Sequence, residues 1–284
     1  MIDPPLSART AAAAATAATE LPPVQMLWFG RPLGDVERLS IMSFLRQGHP
    51  VHLFAYGDPG DVPRGAEVLD GAAVIPQREF DVLRARGVKP GVFSDYFRAM
   101  LLLQRGGWWV DCDVVCLRPF DFRSELVYGW QDPRVINGAV LRIPAGHRAA
   151  ALLVELCRHP SRWQRHDSAR RLAKKTRDAA LGRRRIENVA WGATGPASVT
   201  AVVRALRLHH HAMATEVFYP VAWEDSAVLW RPGGLELASA TYAVHLWNEV
   251  RGGRQALAGS PVDAWMRQYG VAAREGAVVA GVTT

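Results

Sequence analysis

Apolar and polar positions follow two alternating patterns through the first 160 residues. Short apolar runs at 24–30, 51–56 and 66–75 are typical of buried strands. Between the first two lies the segment 33–50, in which apolar residues recur at helical spacing before a Gly-His-Pro stop. This alternation predicts an α/β, Rossmann-like fold with a mostly parallel central sheet and helices on both faces. Sheets of this kind bind their ligands at the carboxyl ends of their strands.

The same patterns predict the elements that follow. A helix is expected at 93–107, with Ser94 as its N-cap and a Gly-Gly pair at its end. Further expected elements are strands at 125–132 and 137–146, a helix at 147–159, a helix beginning near 196, strands near 217–222 and 241–247, and a short helix at 260–270.

These elements predict one domain at 23–250. The segment 1–22 reads as a disordered Ala/Pro-rich tail without the basic and apolar regions of a signal peptide. The segment 161–187 reads as a basic helical or loop insertion, and 251–284 as a C-terminal loop with one short helix. No apolar run approaches the roughly 20 residues of a membrane span.

Cysteine content and net charge indicate the compartment and the kind of partner to expect. The three cysteines, Cys112, Cys116 and Cys157, lack the spacing of a zinc site, and their odd number argues against a disulfide framework. We therefore expect a cytoplasmic protein. The net charge of +7 indicates an anionic partner.

Much of the positive charge lies at 162–185. Such a run is most often a solvated face. The sharper hypothesis is an acceptor-side surface that meets a lipid-diphosphate-linked glycan or anionic lipid headgroups, which would place the protein peripherally at the inner membrane face. Nucleic acid is not an expected partner, because Trp163 is the one aromatic residue available for stacking there.

Two carboxylates interrupt an otherwise apolar run in "GGWWVDCDVVCL" at 106–117. In a strand, Asp111 and Asp113 project from the same face, where like charges repel. A hard cation such as Mn²⁺ or Mg²⁺ would compensate them and leave coordination positions for water and phosphate. The pair therefore predicts a metal–phosphate site at a strand end. The alternative is a strand that simply ends in two solvated aspartates.

Two enzyme classes place a D-x-D pair at a strand end. Haloacid-dehalogenase-type phosphatases begin with an apolar strand and DxDxV, which "WWVDCDVV" matches. Those enzymes also need a downstream lysine and a later acidic pair such as GDxxxD, and no GDxxxD follows residue 113. The phosphatase alternative nevertheless stays open.

The longer segment "SDYFRAMLLLQRGGWWVDCDVVCLRPFD" at 94–121 resembles the sugar-binding region of DXD glycosyltransferases with the GT-A fold. The group includes glycosyltransferase family 32, capsular-polysaccharide and α-1,4-glycosyltransferases and, more distantly, the large clostridial glucosylating toxins. The resemblance extends to "LWFG" (27–30), "INGAVL" (136–141), "WGATGP" (191–196) and "HLWN" (245–248).

The resemblance implies a GT-A single domain and a metal-dependent retaining glycosyltransferase. The donor would be a nucleotide-diphosphate sugar, with UDP as the family's habit, and the acceptor a glycan, lipid-linked or other hydroxyl. The cofactor would be Mn²⁺ or Mg²⁺ held by the D-x-D pair. A non-catalytic module that binds a nucleotide sugar or glycan is the third alternative.

The resemblance also assigns catalytic and metal-binding roles. Asp113 becomes the direct metal ligand, and Asp111 contacts the ribose or reaches the metal through water. Asp95 and Arg98, one helical turn apart, become the pair that binds the donor sugar. His245 would complete the metal shell, although a lone histidine in an apolar run is equally expected as a satisfied core residue. No nucleophile or base is assigned.

The implied donor-binding set begins with Trp28, which would stack on the base unless it is a core residue. Trp109 shares the strand face of the two aspartates, which favours contact with the nucleotide. Asn137 would bond the sugar unless it is a turn residue of an Asn-Gly hairpin. The complete set is Trp28, Phe29, Gly30, Ser94, Trp109, Asn137, Thr194, Gly195, Trp247 and Asn248.

Overall fold

Seven strands form the central sheet of the protein in the computed structural model, which describes residues 21–160, 162–164, 167–182, 194–250 and 255–272. The order across the sheet is β3-β2-β1-β4-β7-β6-β8, and β5 and β9 form a separate antiparallel pair. The strands are β1 (Val24–Phe29), β2 (Val51–Tyr56), β3 (Ala66–Asp70), β4 (Gly107–Val110), β5 (Val114–Cys116), β6 (Val127–Asp132), β7 (Val135–Ile143), β8 (Ala212–Met213) and β9 (Ala243–His245).

Eight α-helices accompany these strands within the described ranges. They are α1 (Asp35–Arg46), α2 (Gln77–Ala85), α3 (Pro90–Gln104), α4 (Arg148–Arg158), α5 (Ala169–Ala180), α6 (Pro196–Ala205), α7 (Thr215–Phe218) and α8 (Pro261–Tyr269). None of the described helices combines the length and apolar character that crossing a membrane requires.

The directions of the strands identify the edge of the sheet at which a ligand is expected to bind. β2 and β4 both run parallel to β1, so the carboxyl ends of these three strands meet at the same edge. β7 is antiparallel to β4 and to β6, while β3 and β8 pair in parallel with β2 and β6. The mostly parallel Rossmann-like sheet predicted from the sequence is therefore confirmed.

Helices cover both faces of this sheet, as predicted. On one face, Met26 and Trp108 pack with apolar residues of α1 and α8. On the other face, Leu27 and Trp109 pack with apolar residues of α3, α4 and α6. Neighbouring residues of one strand thus enter opposite cores, as the period of two requires. Because α8 contributes to the first core, residues 255–272 pack against the sheet domain.

Some sequence expectations are wrong in detail. Ser94 is not an N-cap, because α3 begins one turn earlier at Pro90, whose fixed φ suits the first helical position. Asn137 is not a hairpin-turn residue, since it lies within β7. The strand expected at 217–222 is not formed, because α7 takes up its first two residues and residues 219–222 are irregular.

The carboxylate pair also differs from expectation in its setting. Asp111 and Asp113 do not share one continuous strand, because the chain turns between the end of β4 and the start of β5. Residues 1–20 of the tail predicted at 1–22, together with parts of the basic segment and of "WGATGP", lie outside the described residues.

Candidate active site

The turn at 111–113 is held from two sides by backbone hydrogen bonds. The N–H of Asp111 donates to the carbonyl of Ala139 in β7 at 2.8 Å, and the carbonyl of Asp113 accepts from the N–H of Leu246 at 2.8 Å. These bonds bring the end of β9 beside the turn. Asp111, Asp113 and His245 each present a ligand atom, and these atoms lie within 4.8 Å of one another. The structure therefore brings together the three residues that were expected to bind metal.

Asp113 is the better stabilised of the two carboxylates. His245 Nε2 lies 3.2 Å from Asp113 Oδ1, and the N–H of Asn248 donates to Oδ2 at 2.8 Å. Burial acts to raise the pKa of Asp113, but His245 and the Asn248 N–H outweigh it, so this pKa lies below its ordinary value. Burial likewise acts to lower the pKa of His245, and the Asp113 carboxylate raises it above its ordinary value.

Asp111 is partly exposed and less well compensated. Its Oδ1 accepts from Trp109 Nε1 at 2.6 Å, and Arg98 Nη1 lies 3.5 Å away. Burial raises the pKa of Asp111, Arg98 lowers it, Asp113 raises it again, and the net direction is upward. The two neighbouring carboxylates therefore resist being charged together, which is the condition that a bound cation relieves.

The donor set fits a hard divalent cation. Two carboxylates and an imidazole suit Mn²⁺ or Mg²⁺ better than a thiolate-binding metal. Within the described residues, His245 Nδ1 is buried without a hydrogen-bond partner, whereas Nε2 faces the Asp113 carboxylate.

Asp95 and Arg98 join the same constellation from α3. Arg98, 5% exposed, forms an ion pair with Asp95 and donates to the carbonyl of Gly138 at 2.9 Å. Thr194 Oγ1 donates to Asp95 Oδ2 at 2.7 Å. Burial raises the pKa of Asp95 although Arg98 and Thr194 act to lower it. A continuous polar chain thus runs from Thr194 through Arg98 to Asp111.

Two glycines make room for this chain. A Cβ on Gly138 would lie 2.8 Å from the Arg98 guanidinium carbon, and a Cβ on Gly195 would lie 3.1 Å from the Asp95 carboxylate oxygens. The backbone can therefore come this close to the buried Asp95–Arg98 pair only at residues that have no side chain.

The segment after β9 closes the site. Trp247 has a φ of +54°, a left-handed conformation that is unusual for an aromatic residue. Its indole nitrogen donates to the carbonyl of Val221 at 2.9 Å, and its ring lies 4.1 Å from the His245 ring between centroids. Strained backbone of this kind is concentrated at functional sites.

The end of β1 supplies a second part of the same sheet edge. Trp28 is half-buried, its indole nitrogen donates to the Arg31 carbonyl at 2.6 Å, and the Arg31 guanidinium lies 5.0 Å from the ring centroid. Phe29 faces the other core and packs edge-on against Phe80. Gly30, with a φ of +100°, lines an open cleft of about 440 Å³ together with Tyr56, Gly57, Asp58, Gln77, Phe80, Asp81 and Arg84.

Other expected site residues hold the site rather than face it. Trp109 is 1% exposed in the core, so the ring expected to contact the nucleotide instead fixes Asp111 through its N–H. Asn137 is buried, donates to Gln131 Oε1 at 2.7 Å and accepts from the Ala139 N–H. Ser94 is half-buried on α3.

Glu37 is a residue that sequence reasoning missed. It sits at the third position of α1, where a glutamate is an ordinary capping residue, so the sequence carries no signal of its contact with Asn248.

Several curated proteins are similar to this chain in sequence. No protein-family model matches the chain. Lactosylceramide 4-alpha-galactosyltransferase of Rattus norvegicus is 26% identical over 174 residues, which cover 56% of this chain and 41% of that protein. The Homo sapiens protein of the same name is 28% identical over 174 residues, covering 56% of this chain and 42% of that protein. The chain thus spans less than half the length of these curated relatives.

Solved structures give weaker likenesses. The PaToxG glycosyltransferase superposes with a TM-score of 0.47 at 11% identity, covering 66% of this chain and 68% of that one. The apo form of the glycosyltransferase GlyE of Streptococcus pneumoniae TIGR4 superposes with a TM-score of 0.43 at 12% identity, covering 89% of this chain and 61% of that one. The sequence relatives confirm the resemblance inferred from residues 94–121: this chain is similar to glycosyltransferases.

Proposed function

We propose that this protein is a metal-dependent retaining glycosyltransferase that moves a sugar from a nucleotide-diphosphate donor to a hydroxyl acceptor. The observation that carries the proposal is the cluster of Asp111, Asp113 and His245 at the carboxyl edge of a Rossmann-like sheet. In such folds this edge is where nucleotides bind. The acidic pair cannot hold the diphosphate itself, because like charges repel, so a cation has to lie between them.

Mn²⁺ or Mg²⁺, when bound, supplies charge stabilisation to the departing nucleotide diphosphate. Asp113 is the direct ligand, because its pKa lies below the ordinary value and it is charged at neutral pH. Asp111, held by Trp109 and Arg98, assists through water or the ribose. His245 completes the set by presenting Nε2 beside Asp113.

Asp95 binds the donor sugar, and Arg98 positions Asp95. The Arg98 guanidinium is already engaged by Asp95, Asp111 and the carbonyl of Gly138, so its part is to hold the two carboxylates apart at a fixed spacing. Asp95 keeps 15% of its side chain exposed and can accept from a sugar hydroxyl. Thr194 Oγ1 fixes Asp95 through its Oδ2, and the missing side chain of Gly195 leaves room for the carboxylate.

The cleft beside Gly30 takes the nucleotide base. Its volume of about 440 Å³ suits a small ligand, and it lies at the ends of β1 and β2, next to the strand that carries the aspartates. Phe29 of β1 packs against Phe80, which lines this cleft. We assign Trp247 and Asn248 to the loop that closes over the diphosphate, since Asn248 already bonds Asp113.

The acceptor side includes the basic helix α5. Arg170, Lys174 and Arg177 are exposed on this helix, and Leu172 and Trp163 keep 41% and 58% of their surface exposed nearby. Cations beside exposed apolar side chains suit an anionic lipid surface or a lipid-diphosphate-linked glycan.

A donor screen with Mn²⁺ tests the proposal. Each nucleotide sugar is supplied with manganese, and nucleotide release and thermal shift are measured together. UDP-galactose comes first, because the curated relatives are named galactosyltransferases. We expect release of the nucleotide from at least one donor, lost in Asp113→Asn and retained in Asp121→Asn, a matched change at an exposed aspartate.

The competing functions give different readings in the same screen. A phosphatase releases phosphate from simple phosphomonoesters and forms a phospho-aspartate at Asp111. A non-catalytic binding module shows a thermal shift with a nucleotide sugar but no nucleotide release. Full manganese-dependent turnover by Asp113→Asn would overturn the proposed role of the aspartate pair.

A further inference from the structure

Glu37 is a buried carboxylate beside the candidate metal site, with 2% of its surface exposed. One of its oxygens serves α1, because Oε2 accepts from the Gly34 N–H at 2.7 Å as part of a capping box. The other oxygen serves different segments: Oε1 accepts from Arg31 Nη2 at 3.2 Å and from Asn248 Nδ2 at 3.4 Å. A helix cap requires the first oxygen alone, and a cap needs no burial.

Two of the residues that bond Glu37, Asn248 and Arg31, belong to different segments beside the site. Asn248 donates its backbone N–H to Asp113, so its side chain and its backbone bond different carboxylates. Arg31 lies over the Trp28 ring, and its carbonyl accepts from the Trp28 indole. Glu37 therefore connects the segment after β9 with the loop after β1.

A buried carboxylate is costly unless charged or polar donors surround it. Burial raises the pKa of Glu37 and Arg31 acts to lower it, so the surroundings disfavour the charged form of this acid on balance. Glu79 provides the comparison within this chain. It occupies the same third position of α2, yet it is exposed and accepts from the Tyr96 hydroxyl at 3.0 Å.

We propose that Glu37 is a positioning residue of the candidate metal site, which holds Asn248 against Asp113 and Arg31 over Trp28. The effect on metal binding rests on the proposed function. The effect on the segment after β9 does not, because it concerns hydrogen bonds of the protein alone.

The metal-independent test is hydrogen exchange of the Asn248 amide in metal-free protein. This amide is protected by its bond to Asp113 Oδ2. We expect Glu37→Ala to speed its exchange about tenfold or more, since the local opening becomes easier. Glu79→Ala removes the matched acid from α2 and should leave the Asn248 amide unchanged. Equal exchange in the wild type and Glu37→Ala would overturn the proposal.

The metal-dependent test measures Mn²⁺ affinity from the paramagnetic resonance signal of the free ion, without turnover. Removal of an outer-sphere group typically costs 10–100-fold in affinity. We expect Glu37→Ala and Asn248→Ala each to weaken binding about tenfold, and the double variant to bind no more weakly than either. Additive losses would show that the two residues act separately and would overturn the connection.

Two further outcomes separate this inference from the proposed function. If the wild type binds no manganese but Glu37→Ala still speeds exchange at Asn248, the metal assignment fails and the positioning role stands. If Glu37→Ala does not fold, Glu37→Gln keeps the shape and an acceptor oxygen for Gly34. That variant must still show faster exchange at Asn248 than Glu79→Gln, and equal rates would overturn the proposal.

Discussion

Asp111 and Asp113 are two residues apart, and their surroundings give them opposite tendencies. Asp113 faces His245 and a backbone N–H, so its pKa lies below the ordinary value. Partial burial and the charge of Asp113 raise the pKa of Asp111, although Arg98 acts to lower it. Groups whose environments separate their pKa values have different roles in many active sites. The difference supports Asp113 as the direct ligand and Asp111 as the residue that assists through water or the ribose.

Single side chains show where sequence reasoning succeeds and where it stops. The spacing of the D-x-D pair and the helical spacing of Asp95 and Arg98 predicted four residues that meet in one place. The burial of Trp109 was not predicted, because the period of two gives the face of a strand but not what covers that face. The contact of Glu37 with Asn248 joins residues 211 positions apart, which no local pattern reveals.

Gly138 is predicted to be intolerant of any side chain. A Cβ there would meet the Arg98 guanidinium at 2.8 Å, and Arg98 is held on other sides by Asp95 and Asp111. We expect Gly138→Ala to lower the free energy of unfolding by about 1–3 kcal/mol, as overpacking does in well-filled cores. Chemical denaturation measures this change. Gly91→Ala, where a Cβ meets nothing within 4 Å on the exposed face of α3, should be neutral or slightly stabilising.

Elements with strong periodicity were predicted well, and those that depend on distant partners were not. β1, β2, α1 and α4 lie close to their expected ranges, because each has its own apolar pattern. β9 is three residues long and pairs with β5 across more than 120 positions, so its antiparallel partner could not be inferred. The turn at 111–113 exists because β5 leaves the main sheet to form that pair.

The exposed cations of α5 should bind anionic vesicles. Each Lys or Arg near a negatively charged surface is attracted to it within the screening length of the salt. We expect the wild type to co-sediment with vesicles of phosphatidylserine in phosphatidylcholine. Arg170→Glu, Lys174→Glu and Arg177→Glu together should reduce binding about tenfold or more.

The control for α5 changes the same number of charges elsewhere. Arg64→Glu, Arg123→Glu and Arg231→Glu alter three exposed cations outside this helix. Equal loss of vesicle binding in the two triple variants would assign the attraction to net charge and not to α5. A wild type that binds single-stranded nucleic acid and ignores the vesicles would remove the lipid assignment.

At the scale of the whole molecule, the sequence predicted the class of fold and the edge that carries the site. It could not predict how the C-terminal segment of the described chain contacts the rest of the domain. Tyr269 of α8 donates its hydroxyl to the Cys116 carbonyl at 2.8 Å, and Arg38 of α1 donates to the Ala272 carbonyl at 2.7 Å. Such contacts depend on the assembled sheet, so they have no local signature.

His49 joins another pair of distant segments and makes the stability of the fold depend on pH. It is 2% exposed, and its Nε2 accepts from the Phe120 N–H at 2.8 Å. Its Nδ1 lies 2.9 Å from the Pro22 carbonyl, to which it must donate. The neutral ring satisfies both partners, whereas a second proton would oppose the Phe120 N–H. Burial accordingly lowers the pKa of His49 from its ordinary value of 6.5, although the Pro22 carbonyl acts to raise it.

The sign of the pH effect follows from this lowered pKa. Above pH 6.5 both the folded and the unfolded chain keep His49 neutral, and it contributes nothing to the pH dependence. Below that value the unfolded chain takes up a proton that the folded chain refuses. The free energy of unfolding should therefore fall by about 1.4 kcal/mol for each pH unit, until the folded pKa is reached.

Denaturation of the wild type and of His49→Gln between neutral and mildly acidic pH isolates this contribution, because glutamine can accept and donate without titrating. We expect the wild type to lose more stability than the variant in that window, and parallel losses would assign the acid sensitivity to the carboxylates instead.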